Sequence, residues 1–258
     1  MGLCAEYLMG IFLAIVGAVV GSFLNVCIYR IPSGSSIVLP ASHCTSCGYS
    51  LKFYDNIPII SYVILGGRCR NCHEKISPVY PTVELLTAVM SVLLFLRYGL
   101  SLHYLFAFLF TCSLIVITFI DFRHQIIPDV ITLPGIPFFA LAAIIFIDIT
   151  IRDSLIGIVA GGGFLFLIAM GYQFLRKREG MGGGDIKLLA MIGGFLGWQS
   201  LWFTIMVASL IGAAAGITAM IWKGKDTKYA IPFGPFLSAA AVAYIFCGEA
   251  FMRWIFLR

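Results

Sequence analysis

The chain has 258 residues, 60% of them hydrophobic and only 11% charged, with a mean hydropathy of +1.00. Soluble domains carry about 25% charged residues, so the composition excludes a single soluble core and points to a polytopic protein whose solvent is the lipid bilayer. The net charge of +5 matches basic loops on one membrane face, and nothing else in the sequence supports nucleic-acid binding.

A membrane helix needs about 20 apolar residues, and eight candidate runs follow one another, at 8–28, 83–96, 102–120, 130–147, 155–175, 186–197, 201–222 and 233–257. The first is preceded by neither a basic segment nor a cleavage site and is expected to stay as a span. Glu84 shortens the second. From 186 to 222 the only charge is Lys187, far too long a run for one crossing at about 1.5 Å per residue. It must fold back, and the polar stretch from Gly197 to Ser200 supplies the turn. Small residues four apart, at Gly17 and Gly21, Gly157 and Gly161, Gly193 and Gly197, and Gly212 and Gly216, predict close helix packing within the chain.

Basic residues set the orientation. With the N-terminus outside and the loop 30–80 inside, only Arg97, Arg152, Arg253 and Arg258 of the 17 Lys and Arg lie outside, which favours N-out and C-out. The expectation is therefore an all-α polytopic membrane protein of about eight transmembrane helices. Its divisions are a first helix (1–29), a cytoplasmic tetracysteine loop (30–80) and a seven-helix membrane domain (81–258).

Four of the eight cysteines are paired, Cys44 with Cys47 and, after 21 residues, Cys69 with Cys72. Two C-x-x-C pairs at this distance, slightly above the usual interval, read as a tetrahedral Cys₄ zinc site, with a redox role as the lesser alternative, and a cytoplasmic setting disfavours disulfides. Four thiolates leave no open position for a catalytic water, so the zinc is structural and staples a loop too small for a large core. His43 and His73 flank the outer cysteines as alternative ligands or solvated neighbours. Cys4, Cys27, Cys112 and Cys247 stand among apolar residues and read as small hydrophobes.

Asp121 closes the third run, and Asp185 opens the sixth after Gly182, Gly183 and Gly184. An ionisable residue at a membrane segment is costly and is a functional hypothesis by default. The orientation puts both at the cytoplasmic boundary and places Asp148 and Asp153 on the opposite side. Asp129 shares the cytoplasmic side as a rival or a helper. The glycines are expected to allow close approach and positive φ at the entry. Two carboxylates in a dehydrated site share one proton; the charged member takes a proton from water while the neutral one donates to a peptide carbonyl. The bland alternative is two interfacial aspartates facing headgroups or capping helices, with Asp185 as an N-cap. Lys187 either snorkels to headgroups or places positive charge beside the pair. Glu84 is either neutralised by a basic neighbour or binds something.

Taken together these motifs resemble the type IV prepilin peptidases, among the G-x-G-D membrane aspartic proteases. The resemblance runs through 21–32 (GSFLNVCIYRIP), both cysteine pairs, 56–58 (NIP), 67–70 (GRCR), 80–86 (YPTVELL), Asp121 with Pro128 and Asp129, and 182–188 (GGGDIKL). It implies a catalytic pair of Asp121 and Asp185, supported by Gly182, Gly184, Lys187 and Asp129. It also implies cleavage of the basic leader of prepilins and pseudopilins of type IV pili and type II secretion, after a glycine and commonly before a phenylalanine. The cut would fall at the cytoplasmic face of the bacterial inner membrane, with both termini periplasmic. Many members also methylate the new amine from S-adenosylmethionine, and the large tetracysteine loop resembles those bifunctional forms. Glu84 and Gly67 are the candidates near that second site. Thr45 and Ser46 stand where a proline is common, which touches loop rigidity more than metal binding.

Three other readings compete. A presenilin- or signal-peptide-peptidase-like protease leaves the tetracysteine loop unexplained, and Ile120 stands where its tyrosine would. An ion-coupled transporter would use the same aspartates as an ion pathway, but transporters favour repeats and broken helices at mid-membrane. The last is a zinc-stapled assembly factor without catalysis.

Overall fold

The computed structural model describes residues 2–176, 182–223 and 232–256. Among these lie nine α-helices and no strand beyond two isolated bridges: α1 (Gly2–Arg30), α2 (Ile60–Ile64), α3 (Val79–Tyr98), α4 (Leu102–His124), α5 (Asp129–Phe146), α6 (Ile151–Arg176), α7 (Gly183–Leu196), α8 (Gln199–Lys223) and α9 (Gly234–Phe256). Eight of them sit on the eight predicted runs, and α2 is an addition within the loop. Six are long and apolar enough to cross a membrane, so this is a multi-pass membrane protein. Lys177, Arg178, Lys225 and Lys228, which carry part of the orientation argument, lie outside the described residues, as does the end of the last predicted run.

Chain contacts group Met1–Val116 and Ile117–Arg258 into two compact units. In the first, α1 packs along α3. Their backbones touch because Gly17 and Gly21 carry no Cβ: one added there would lie 2.8 Å from the Ala88 Cα or 2.7 Å from the Glu84 Cα. Ser91, buried at this seam, donates to the Leu13 carbonyl across 2.9 Å and pairs with the Tyr104 hydroxyl. Glu84 does not delay the helix. α3 starts at Val79, with Pro81 in the first turn, where its missing N–H costs no hydrogen bond.

The second unit is built around α7, whose residues 188–195 are all buried and which packs against α5, α6, α8 and α9. Its 14 residues reach only about 21 Å, short of the roughly 30 Å hydrocarbon core. The run 186–197 is thus a short helix packed in protein, whose two ends pair with Asp129 at the start of α5 and, through Trp198, with Asp153 at the start of α6. Gly157 and Gly193 bring the backbones of α6 and α7 into direct contact. Gly197, paired with Gly193 by spacing, instead has φ of +80° and ends α7. The predicted fold-back follows at once, since α8 begins at Gln199. At this end the Trp198 Nε1 donates to Asp153 across 3.0 Å. Of the scattered cysteines Cys27 and Cys112 are buried and Cys247 is exposed, the last because apolar side chains of a membrane helix can face lipid as well as core.

Candidate active site

Three chain segments far apart in sequence converge within the second unit. Asp121, near the C-terminal end of α4, is 5% exposed. Its Oδ2 accepts the backbone N–H of Gly234, the first residue of α9, across 3.1 Å. The first amides of a helix have no partner inside it and carry the positive end of its dipole, so a carboxylate is a natural acceptor there. Asp185 lies in the first turn of α7 and its carboxyl interacts electrostatically with that of Asp121. Its Oδ1 is buried and has no hydrogen-bond partner among the described residues.

The N-cap of α7 is Gly182, in extended conformation with φ −68°, not Asp185. Asp185 is the third helical residue, so its carboxylate is left free of the capping duty. The predicted positive φ at the glycines is also absent. Close approach is real at one position: a Cβ on Gly184 would lie 2.7 Å from the Ile127 Cβ, whereas Gly182 and Gly183 face open space. Ile127 wedges between two helix starts, because a Cβ on Gly234 would meet both its Cδ1, at 3.0 Å, and Asp121 Oδ2, at 2.7 Å.

Gly234 and Ile127 were not among the predicted site residues. The available signal was the Pro232, Phe233, Gly234, Pro235 entry into the last apolar run, where glycine between prolines marks a tight approach. The Lys187 Nζ donates to both carboxylate oxygens of Asp129, at 2.7 and 2.8 Å. With side chains 34% and 55% exposed, this surface pair contributes at most about 1 kcal/mol. It joins the start of α5 to that of α7.

In the first unit the four predicted cysteines come together, all four Sγ atoms within 4.8 Å of one another. The Cys44–Cys72 and Cys47–Cys69 separations are 3.8 and 4.0 Å, and a regular tetrahedron with Zn–S bonds of about 2.3 Å has edges of about 3.8 Å. The donor set fits zinc. Each pair sits on a turn closed by backbone bonds, Gly48 N–H to the Cys44 carbonyl and His73 N–H to the Cys69 carbonyl. The residue after each second cysteine, Gly48 or His73, takes positive φ. The cluster contains no histidine, and His43 turns its Nδ1 to the Ala41 carbonyl.

Asp55 ties the two turns together through Arg70, at 2.7 Å, and Tyr49, at 3.2 Å. Burial alone would raise the Asp55 carboxyl, but hydrogen bonds from Arg70, the Lys52 amide and Tyr49 outweigh it and hold the carboxyl below its ordinary value.

Glu84 has no basic neighbour of the kind its position suggested. It is buried and accepts the Ile59 N–H across 2.7 Å. Gly67 turns the chain at φ +68° beneath the Tyr62 ring. Both of its backbone groups are bonded, the N–H to Tyr62 and the carbonyl to Ile76.

Comparison with known proteins covers both units. The family model described as the Bacterial Peptidase A24 N-terminal domain matches residues 15–98, and that of the Type IV leader peptidase family matches 108–217. A prepilin leader peptidase/N-methyltransferase of Pseudomonas putida is 34% identical over 257 residues, covering 91% of this chain and 89% of the relative. One of the same name from Pseudomonas aeruginosa is 34% identical, covering 93% and 90%. Another from Myxococcus xanthus is 40% identical over 221 residues, covering 84% and 65%. No solved structure matches. Matching at this level along nearly the whole length, around two carboxylates and four clustered thiols, shows that the chain belongs to the type IV leader peptidase family.

Proposed function

We propose that the chain is a membrane aspartic endopeptidase and N-methyltransferase. It removes the basic leader of type IV prepilins and pseudopilins at the cytoplasmic face of the bacterial inner membrane. It cuts after glycine, and it methylates the exposed residue, commonly phenylalanine, with S-adenosylmethionine as donor. The observation that carries the hydrolytic reading is the unequal state of the two carboxylates, Asp121 buried and Asp185 half-buried with one buried oxygen. Asp121, which accepts the Gly234 N–H, is the member best placed to hold the negative charge. Asp185, whose Oδ1 accepts nothing among the described residues, is the member to hold the shared proton.

The chemistry follows from that inequality. Asp121 takes a proton from a water as its oxygen attacks the scissile carbonyl carbon, and the Asp185 proton passes to the carbonyl oxygen. The resulting diol collapses when Asp121 returns its proton to the leaving nitrogen and the C–N bond breaks. A diol proton then restores Asp185, and atoms and charge balance without a covalent intermediate.

Cys44, Cys47, Cys69 and Cys72 would hold a zinc ion that fastens the loop and leaves no open position for substrate. Glu84 and Gly67 stay proposed neighbours of the methyl-donor site through the loop they shape. Both backbone groups of Gly67 are bonded and Glu84 already accepts the Ile59 N–H, so the methyl transfer is carried to this chain by the names of its relatives.

The test is to incubate the protein in liposomes with a leader-bearing prepilin, with and without S-adenosylmethionine, and to weigh the product. The expected product is shortened at the glycine in both cases and carries one added methyl only with the donor. An uncut substrate would refute the reading, and a cut but never methylated product would reduce it to the protease.

A further inference from the structure

Outside both sites, the loop of the first unit carries an apolar face with no role assigned to it. In α2 the Ser61 side chain turns inward, donating to the Tyr54 carbonyl and accepting from the Ile57 amide. Ile60, Val63 and Ile64 are left outward, 55%, 70% and 74% exposed. Three clustered aliphatic side chains on so short a helix are unfavourable in water and mark a contact surface.

The place of α2 relative to the bilayer follows from Glu84. α3 has 20 residues, about 30 Å of helix, which matches the hydrocarbon thickness and leaves almost no overhang. Glu84 is five residues into it, about 7 Å from its start. The side chain leans back toward the helix N-terminus, and its 2.7 Å bond to the Ile59 amide therefore brings the start of α2 to the membrane boundary. Ile59 has φ 63° and ψ −49°, an outlying conformation for a β-branched residue. The bond to Glu84 holds that sharp bend and keeps α2 beside α3 instead of out in the aqueous phase.

Two further features point to lipid. On α3 itself Leu85, Val89 and Leu93 are exposed, as expected of a lipid-facing surface that starts one residue beyond Glu84. Just after α2, the exposed Arg68 and Lys75 face one another across an isolated bridge, which suits anionic headgroups.

We propose that α2 is an interfacial membrane anchor. Ile60, Val63 and Ile64 lie among the headgroups and upper acyl chains of an anionic leaflet, with Arg68 and Lys75 at the phosphates, so the zinc-stapled loop rests on the bilayer.

The test uses Ile64→Trp, with Val63→Trp as a second probe, in the full protein in phosphatidylcholine–phosphatidylglycerol vesicles. The signal is the emission gained over the parent chain with its own four tryptophans, and retained zinc serves as the folding control. The anchor predicts that the added emission is quenched by lipids brominated in the upper acyl chain and is insensitive to iodide. Quenching by iodide would overturn it. Shielding from both quenchers, or shielding from lipid that appears only when a prepilin is added, would overturn it in favour of a protein-covered face.

Discussion

Each unit contains a carboxylate in the first turns of a helix, and the two are used in opposite ways. Glu84, in the first unit, is spent on the Ile59 amide, and what it gains is a fixed loop. Asp185, in the second, keeps a buried oxygen with no partner among the described residues, beside another carboxylate. Burial of an acid is therefore no mark of catalysis by itself. The distinguishing feature is hydrogen-bonding capacity left unused next to a partner that can share a proton.

The largest effect that comparison predicts is at Asp185. Asp185→Asn should lower the leader-cleavage rate by at least about 10³-fold, within the reach of general acid–base catalysis, while zinc content stays at the parent value. A loss of zinc together with activity would show unfolding instead. Gly234→Val comes next. A Cβ there would lie 2.7 Å from Asp121 Oδ2, and a displacement of about 1 Å at a reacting group costs about 10²-fold. Single-turnover cleavage, with enzyme in excess of substrate and its concentration varied, would show this as a fall in the limiting rate at unchanged affinity.

The first unit should respond differently. Serine at Cys44, Cys47, Cys69 and Cys72 together should abolish zinc binding, seen by metal analysis, and open the loop to protease. Cleavage should fall by less than about 10-fold, because the acid–base pair belongs to the other unit and needs no metal. Glu84→Ala should leave the Ile59 N–H unpaired, a cost of about 1–3 kcal/mol, read as faster proteolysis between residues 53 and 66. Glu84→Gln, which can still accept that bond, should behave nearly as the parent. Equal cleavage loss in Glu84→Gln and Asp185→Asn would erase the distinction between the two acids. The smallest effect is expected from Lys187→Met, whose surface pair with Asp129 contributes about 1 kcal/mol or less, measured as a thermal shift.

The thiolate cluster was legible in the sequence because its four ligands lie within one short loop on two repeated turns, so spacing alone predicted their meeting. The eight helices other than α2 were equally legible, since each is a run of apolar residues. The carboxylate pair was only half legible: charge bias in the loops put Asp121 and Asp185 at the same membrane face, but no local pattern could say that α4, α7 and α9 converge around them. Gly234 and Ile127 stayed hidden because their role is a contact between segments more than 50 residues apart, made by the absence of a side chain on one and the bulk of the other. Asp185 looked like an N-cap because an aspartate before an apolar run usually is one. The helix instead starts two residues earlier, at Gly183. The burial of α7 on all sides was hidden for a different reason, since an apolar run reads alike whether protein or lipid surrounds it.

The central claim is that Asp121 and Asp185 act as one unit, and a double-variant comparison tests it most directly. Single-turnover cleavage rates of Asp121→Asn, Asp185→Asn and the combined variant should be measured on one prepilin in one lipid composition. Residues that share a single proton are expected to be grossly non-additive, so each single change should cost nearly as much as both together. Losses that multiply in the combined variant, or near-parental cleavage by either single one, would contradict the account.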